Sequence, residues 1–223
     1  MSLPETRVAT PLAMPILAWR HPCPQGFQGR CIGRTDLPID RRKAKRLAHR
    51  IRQAARRHGW PRVVHTSPLR RCADVGRWLR RWGWRHHVDG ALLEMDFGRW
   101  DGQPWSAIAR AEVDAWVADF AGHAPGGGES LRDMLNRVAV WPQAGREAPL
   151  AREGDAAPRP EPRLLVAHAG WMLARQWLLA HDAPPGSAAD WPRAPAYGQA
   201  RALGHAVNLV SEPLPVRVCP LTR

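Results

Sequence analysis

Along this chain, short apolar runs alternate with stretches in which apolar residues recur every three or four positions. Residues 15–20 (PILAWR) form an unbroken apolar run closed by a charge, the pattern of a buried strand. From Ala44 onward, Leu47, Ala48, Ile51, Ala54 and Ala55 fall at helical spacing with arginines between them. That stripe predicts an amphipathic helix, with Asp40 placed to cap its start and Gly59, before Pro61, to stop it. Residues 62–67 (RVVHTS) read as a second strand. A helix should follow, with Ser67 at its cap, Pro68 in its first turn, and Leu69, Cys72, Ala73, Gly76 and Leu79 on one side. Residues 163–170 (RLLVAHAG) read as a late strand that leads into a helix over 171–182. Between these units, 103–122 and 126–141 read as helices, the second after a glycine turn.

This alternation predicts an α/β fold: a single domain over 1–223 with a mostly parallel central sheet flanked by helices on both faces. Residues 1–14 read as a loose N-terminal segment, and 142–162 as a Pro/Ala-rich loop. A length of 223 residues and 44% hydrophobic content suit one domain with a substantial core. No apolar run approaches the ~20 residues of a membrane span. The first fifteen residues hold an acid and prolines without a continuous apolar stretch, so neither a secretory signal nor a membrane partner is expected. The expected location is the cytoplasm. Cys23, Cys31, Cys72 and Cys219 lie far apart with no CxxC pair, so no metal site is expected from them and no disulfide framework.

Charge sharpens the picture. The net charge is +13, and residues 1–100 carry 21 Lys and Arg against 7 Asp and Glu, whereas the rest carry 12 against 13. Such asymmetry suits an acidic partner, whether a phosphorylated small molecule, an anionic surface or nucleic acid; a solvated basic face accounts for it equally. No helix-turn-helix, zinc-finger or RNP-like pattern accompanies the base, so nucleic acid is not the expected partner. Nothing in the sequence fixes the oligomeric state.

Open α/β sheets bind ligands beyond the carboxyl ends of their strands. The first strand ends at Arg20-His21, the second at Ser67 shortly before Arg70, and the late one at His168. Side chains at three such ends can converge on one crevice if the strands are parallel neighbours. Arginines offer planar forks to phosphoryl oxygens, and a histidine with one free nitrogen can attack phosphorus. A carboxylic acid would then protonate the leaving alkoxide, and Glu94 is the best candidate for it, with Asp96 its nearest rival. Alone, each of these residues has an ordinary alternative as a core histidine or a surface arginine.

Four blocks, in order, resemble the histidine phosphatase superfamily, and within it the α-ribazole phosphatase-like branch: WRHP with GRCIGRTDLPID, HTSPLRRCADVGRWL, LLEMDFGRWDG and LLVAHAGWMLARQWLL. The resemblance implies a phosphoglycerate mutase-like fold and a cofactor-independent phosphomonoesterase acting through a phosphohistidine. In this reading His21 is the nucleophile, Glu94 the proton donor and His168 a second catalytic histidine. Arg20 and one arginine of SPLRR hold the phosphate; Arg70 is favoured over Arg71. Arg34 and Gln28 are further substrate-binding candidates. A small phosphorylated substrate is implied, α-ribazole 5′-phosphate in cobalamin biosynthesis among the options, with no metal or organic cofactor. The alternatives are a non-catalytic phospholigand-binding member of the same fold, or a phosphatase of another sugar phosphate or nucleotide. Departures from the family pattern are Pro22 after the nucleophile, Gln28 near the place of an expected asparagine, and Ala169 after His168.

Overall fold

The computed structural model describes residues 15–141 and 162–204. Its five strands are β1 (Ile16–Arg20), β2 (Val63–Thr66), β3 (Arg85–Val88), β4 (Arg163–Ala167) and β5 (Ala200–Ala202). They form one sheet in the order β3-β2-β4-β1-β5, and only β5 runs antiparallel. The helices are α1 (Arg41–His58), α2 (Arg70–Arg81), α3 (Arg110–Ala118), α4 (Leu131–Ala139) and α5 (Ala169–Ala180). This is the single α/β domain read from the sequence.

The unbroken apolar run of β1 is explained by cover on both faces. Ile16 and Ala18 join Leu165 and Ala167 in a core with α4 and α5, while Leu17 and Trp19 join Val64, Leu164 and Val166 in a core with α1 and α2. Asp40 accepts from the N–H groups of Arg42 and Lys43, and Gly59 ends α1 at φ 68°. A left-handed residue there favours glycine.

Two local expectations are corrected. α2 starts at Arg70, with no side-chain cap, because Ser67 spends its hydroxyl on His168 instead. Residues 103–122 are not one helix. Trp105 N–H bonds the Gly29 carbonyl and Arg30 bridges Pro104, so tertiary pairing holds this stretch to a single 3₁₀ turn (Trp105–Ala107) before α3 begins. The strands β3 and β5 are further elements that no apolar run in the sequence marks. Residues 1–14, 142–161 and Cys219 lie outside the described residues. Among the described residues, no helix is long and apolar enough to cross a membrane.

Candidate active site

Strand register builds the centre of the site. Arg20 of β1 pairs with Ala167 of β4, so the next residue on each strand, His21 and His168, must emerge side by side at the carboxyl edge. The His21 N–H continues the ladder to the Ala167 carbonyl at 3.0 Å, and the two imidazoles lie 5.1 Å apart between centroids. Both are buried.

Their hydrogen bonds fix their tautomers. His21 Nδ1 lies 2.8 Å from the Pro22 carbonyl, which can only accept, so Nδ1 carries the hydrogen and Nε2 keeps a lone pair. The main-chain carbonyl of residue 22 therefore orients the ring. His168 Nδ1 accepts from Arg71 Nε at 3.2 Å, so its hydrogen sits on Nε2, 2.7 Å from Ser67 Oγ. Burial, and then the Arg71 guanidinium, holds both imidazoles well below their ordinary pKa, which keeps them neutral near pH 7.

Arg71 is the hub. Besides His168, its guanidinium donates to the carbonyls of Thr35 and Gly33. Those carbonyls are presented by the GRTD turn, which Asp101 gathers by accepting from the N–H groups of Gly33, Arg34 and Thr35 and from the Thr35 hydroxyl. The turn packs against the carbonyl of Met95 so closely that a Cβ at position 33 would collide with it.

Glu94 reaches the site from the following loop. One carboxylate oxygen accepts from Gly170 N–H, in the first turn of α5, at 3.0 Å; the other accepts from Met95 N–H at 3.1 Å. A Cβ on residue 170 would strike this carboxylate, so the helix N-terminus and the acid can meet only across a glycine. Arg137 braces the same loop through the carbonyls of Ala91 and Glu94, while Glu129 pairs with its guanidinium at 2.6 Å. Arg20 lies under the Tyr197 ring, 3.8 Å from its centroid, and donates to the Pro195 carbonyl at 2.7 Å. Its Nε is buried and has no hydrogen-bond partner among the described residues. Burial lowers the pKa of this guanidinium.

Arg20, His21, Arg71 and Glu94 line one cavity of about 240 Å³. His168 stands behind it, fully buried and bonded to Arg71, and does not line it. The sequence favoured Arg70, but the structure places Arg70 at the surface, with its N–H on Asp36, and puts Arg71 in the cavity. Arg34 also lies elsewhere, paired with Asp96 at 2.9 Å. Gln28 is exposed and does not line the cavity. Asp96, the rival acid, spends its carboxylate on Arg34 and on the Gly98 N–H. Sequence reasoning missed Asp101 and the aromatic residues around the cavity, Phe27, Phe97, Trp105 and Tyr197. Among the described residues, no group of three or more His, Cys, Asp or Glu could hold a metal ion.

Several solved structures share this architecture. A mycobacterial glucosyl-3-phosphoglycerate phosphatase is 26% identical, with a TM-score of 0.62, over 84% of this chain and 88% of that one. The same phosphatase in complex with VO3 matches at 27% identity and a TM-score of 0.62, over 84% of this chain and 90% of that one. A phosphoglycerate mutase from Thermus thermophilus is 23% identical, with a TM-score of 0.57 over 85% of this chain and 92% of that one, a likeness of fold. Among curated proteins, none matches the sequence significantly. The family model of the histidine phosphatase superfamily (branch 1) matches residues 16–194, from β1 across all the cavity-floor residues and through α5 to the loop that follows it, and the chain belongs to that superfamily.

Proposed function

We propose that this protein is a phosphomonoesterase that works through a phosphohistidine on His21. The observation that carries the reading is the neutral His21, whose Nε2 lone pair has no hydrogen-bond partner among the described residues, in one cavity with two guanidinium groups and the Glu94 carboxyl group. Arg20 and Arg71 bind the phosphoryl oxygens and take up the charge that grows on them in the transition state. His21 Nε2 attacks phosphorus, the P–O bond to the alcohol breaks, and Glu94, entering the step as the carboxylic acid, delivers its proton to the departing oxygen. Glu94, now a carboxylate, takes a proton from water as that water attacks the phosphohistidine. Phosphate leaves, and His21 regains its lone pair. His168 acts through Arg71, whose orientation it helps to fix.

The supporting likeness is to a phosphatase whose own substrate is glucosyl-3-phosphoglycerate. The substrate panel holds that ester beside α-ribazole 5′-phosphate, which the GRTDLPID and EMDFGRWDG blocks suggest. The first test is hydrolysis of p-nitrophenyl phosphate with EDTA present, from pH 4 to 8. The expected result is turnover that His21→Ala abolishes, that Arg71→Ala lowers by about 100-fold or more, in the range of one lost oxyanion donor, and that Arg70→Ala barely changes. A folded protein that turns over neither this ester nor the panel refutes the proposal.

A further inference from the structure

Beyond the phosphate-binding floor, the cavity changes character. Its outer wall is built by Phe27, Phe97, Trp105 and Tyr197 with Ile32, and among the described residues Arg30 is the one charged side chain on it. The wall is organised: Phe27 meets Tyr197 edge to face at 5.7 Å, and Tyr197 leans on both His21 and Arg20. Trp105 is 42% exposed and lines the cavity, so part of its indole is open to a bound group there. Arg30 is exposed and already donates to the Gly102 carbonyl at 2.8 Å.

We infer that this wall selects phosphate monoesters whose alcohol carries a flat apolar ring, aromatic or heteroaromatic, over esters of small polyhydroxy or carboxylate-bearing alcohols. The inference rests on the phosphomonoesterase reading and specifies its substrate class. Sugar hydroxyls brought against this wall would lose water and find few side-chain partners, which disfavours them. A carboxylate would find one solvent-exposed guanidinium, a weak discriminator. A flat ring finds faces and edges at the separations that aromatic pairs prefer.

The test compares esters whose leaving alcohols are all aliphatic, so that leaving-group acidity does not sort them: benzyl phosphate and 2-naphthylmethyl phosphate against glycerol 1-phosphate and 3-phosphoglycerate. The ring-bearing esters are expected to have kcat/KM at least about 10-fold higher, the size of effect one stacked ring carries. Trp105→Ala should erase most of that advantage, lowering kcat/KM for the ring-bearing esters about 10-fold more than for glycerol 1-phosphate, and Trp105→Phe should restore it. Equal or better turnover of the polyol or carboxylate esters overturns the inference, as does an equal loss on both series in Trp105→Ala. If no ester is hydrolysed, the phosphatase reading fails, and calorimetry with benzylphosphonate and methylphosphonate decides this one. Tighter benzylphosphonate binding that needs Trp105 supports the ring-selective wall, and equal affinities refute it.

Discussion

Asp101 lies outside the cavity, yet the hydrogen bonds make it a positioning residue for the phosphate-binding arginine. It accepts from three successive N–H groups, Gly33 to Thr35, and from the Thr35 hydroxyl. Two carbonyls of that turn receive Arg71, which in turn meets His168. In Asp101→Asn one oxygen becomes an NH₂. If the amide oxygen keeps the Oδ1 place, the Arg34 N–H faces a donor; if the amide flips, Gly33 and Thr35 lose theirs. The smaller loss is one hydrogen bond to a charged acceptor, about 2 kcal/mol, or a Tm lower by about 4–8 °C in a domain of this size. Because the displaced turn carries the acceptors of Arg71, kcat/KM should fall by about 10- to 100-fold. The inhibition constant of inorganic phosphate should rise with it.

The assay pairs thermal melts with steady-state kinetics and phosphate inhibition on the same preparation, well below the variant's Tm. Asp114→Asn is the control, because it breaks an exposed Arg110–Asp114 pair that touches neither the turn nor the cavity, and it should change neither readout. A purely structural role for Asp101 would lower Tm and leave phosphate affinity untouched. That result in Asp101→Asn would refute the chain of contacts from Asp101 to Arg71.

Gly170→Ala should displace the Glu94 carboxylate that a Cβ would strike, lowering kcat more than it weakens phosphate binding; an unchanged kcat in the folded variant contradicts the close approach. Stability should fall on acidification. Burial, the largest cause, pushes His65 and His86 down to about 4, and lowers His21 and His168 as well. The unfolded chain takes up protons on these groups as pH falls through about 6.5, whereas the fold resists, so the urea midpoint should be level above pH 7 and drop toward pH 4. A midpoint that stays flat between pH 7 and 5, or the same drop in a His65→Gln/His86→Gln variant, would count against this origin.

What the sequence made legible follows from where its signals are strong. The cores on the two sheet faces, the caps of α1 and the strand ends bearing His21 and His168 come from long runs or full helical stripes, which burial enforces. β3 reads RHHV and lies at the sheet edge, so no apolar pattern marks it, and β5 is three residues long and depends on β1 for pairing. The site residues that escaped, Asp101 and the aromatic wall, are brought in by loop contacts that carry no period.

Arg70 and Arg71 are a different case, because helix phase distinguishes them. Cys72, Val75, Gly76 and Leu79 are buried, and Arg71 falls one turn before Val75 on the flank of that stripe. Arg70 falls with Asp74, Arg77 and Arg81 on the polar side. A charged residue in phase with an apolar stripe would be expelled by desolvation unless something held it, so its presence there marks a buried partner. The rule locates burial, and chemistry must assign the purpose. Arg175 obeys it too, fully buried on α5, and there the guanidinium closes the carbonyls of Val138 and Trp141 at the end of α4. What separates Arg71 from Arg175 is the strand register: only Arg71 lies beside the carboxyl edge where β1 and β4 deliver two histidines.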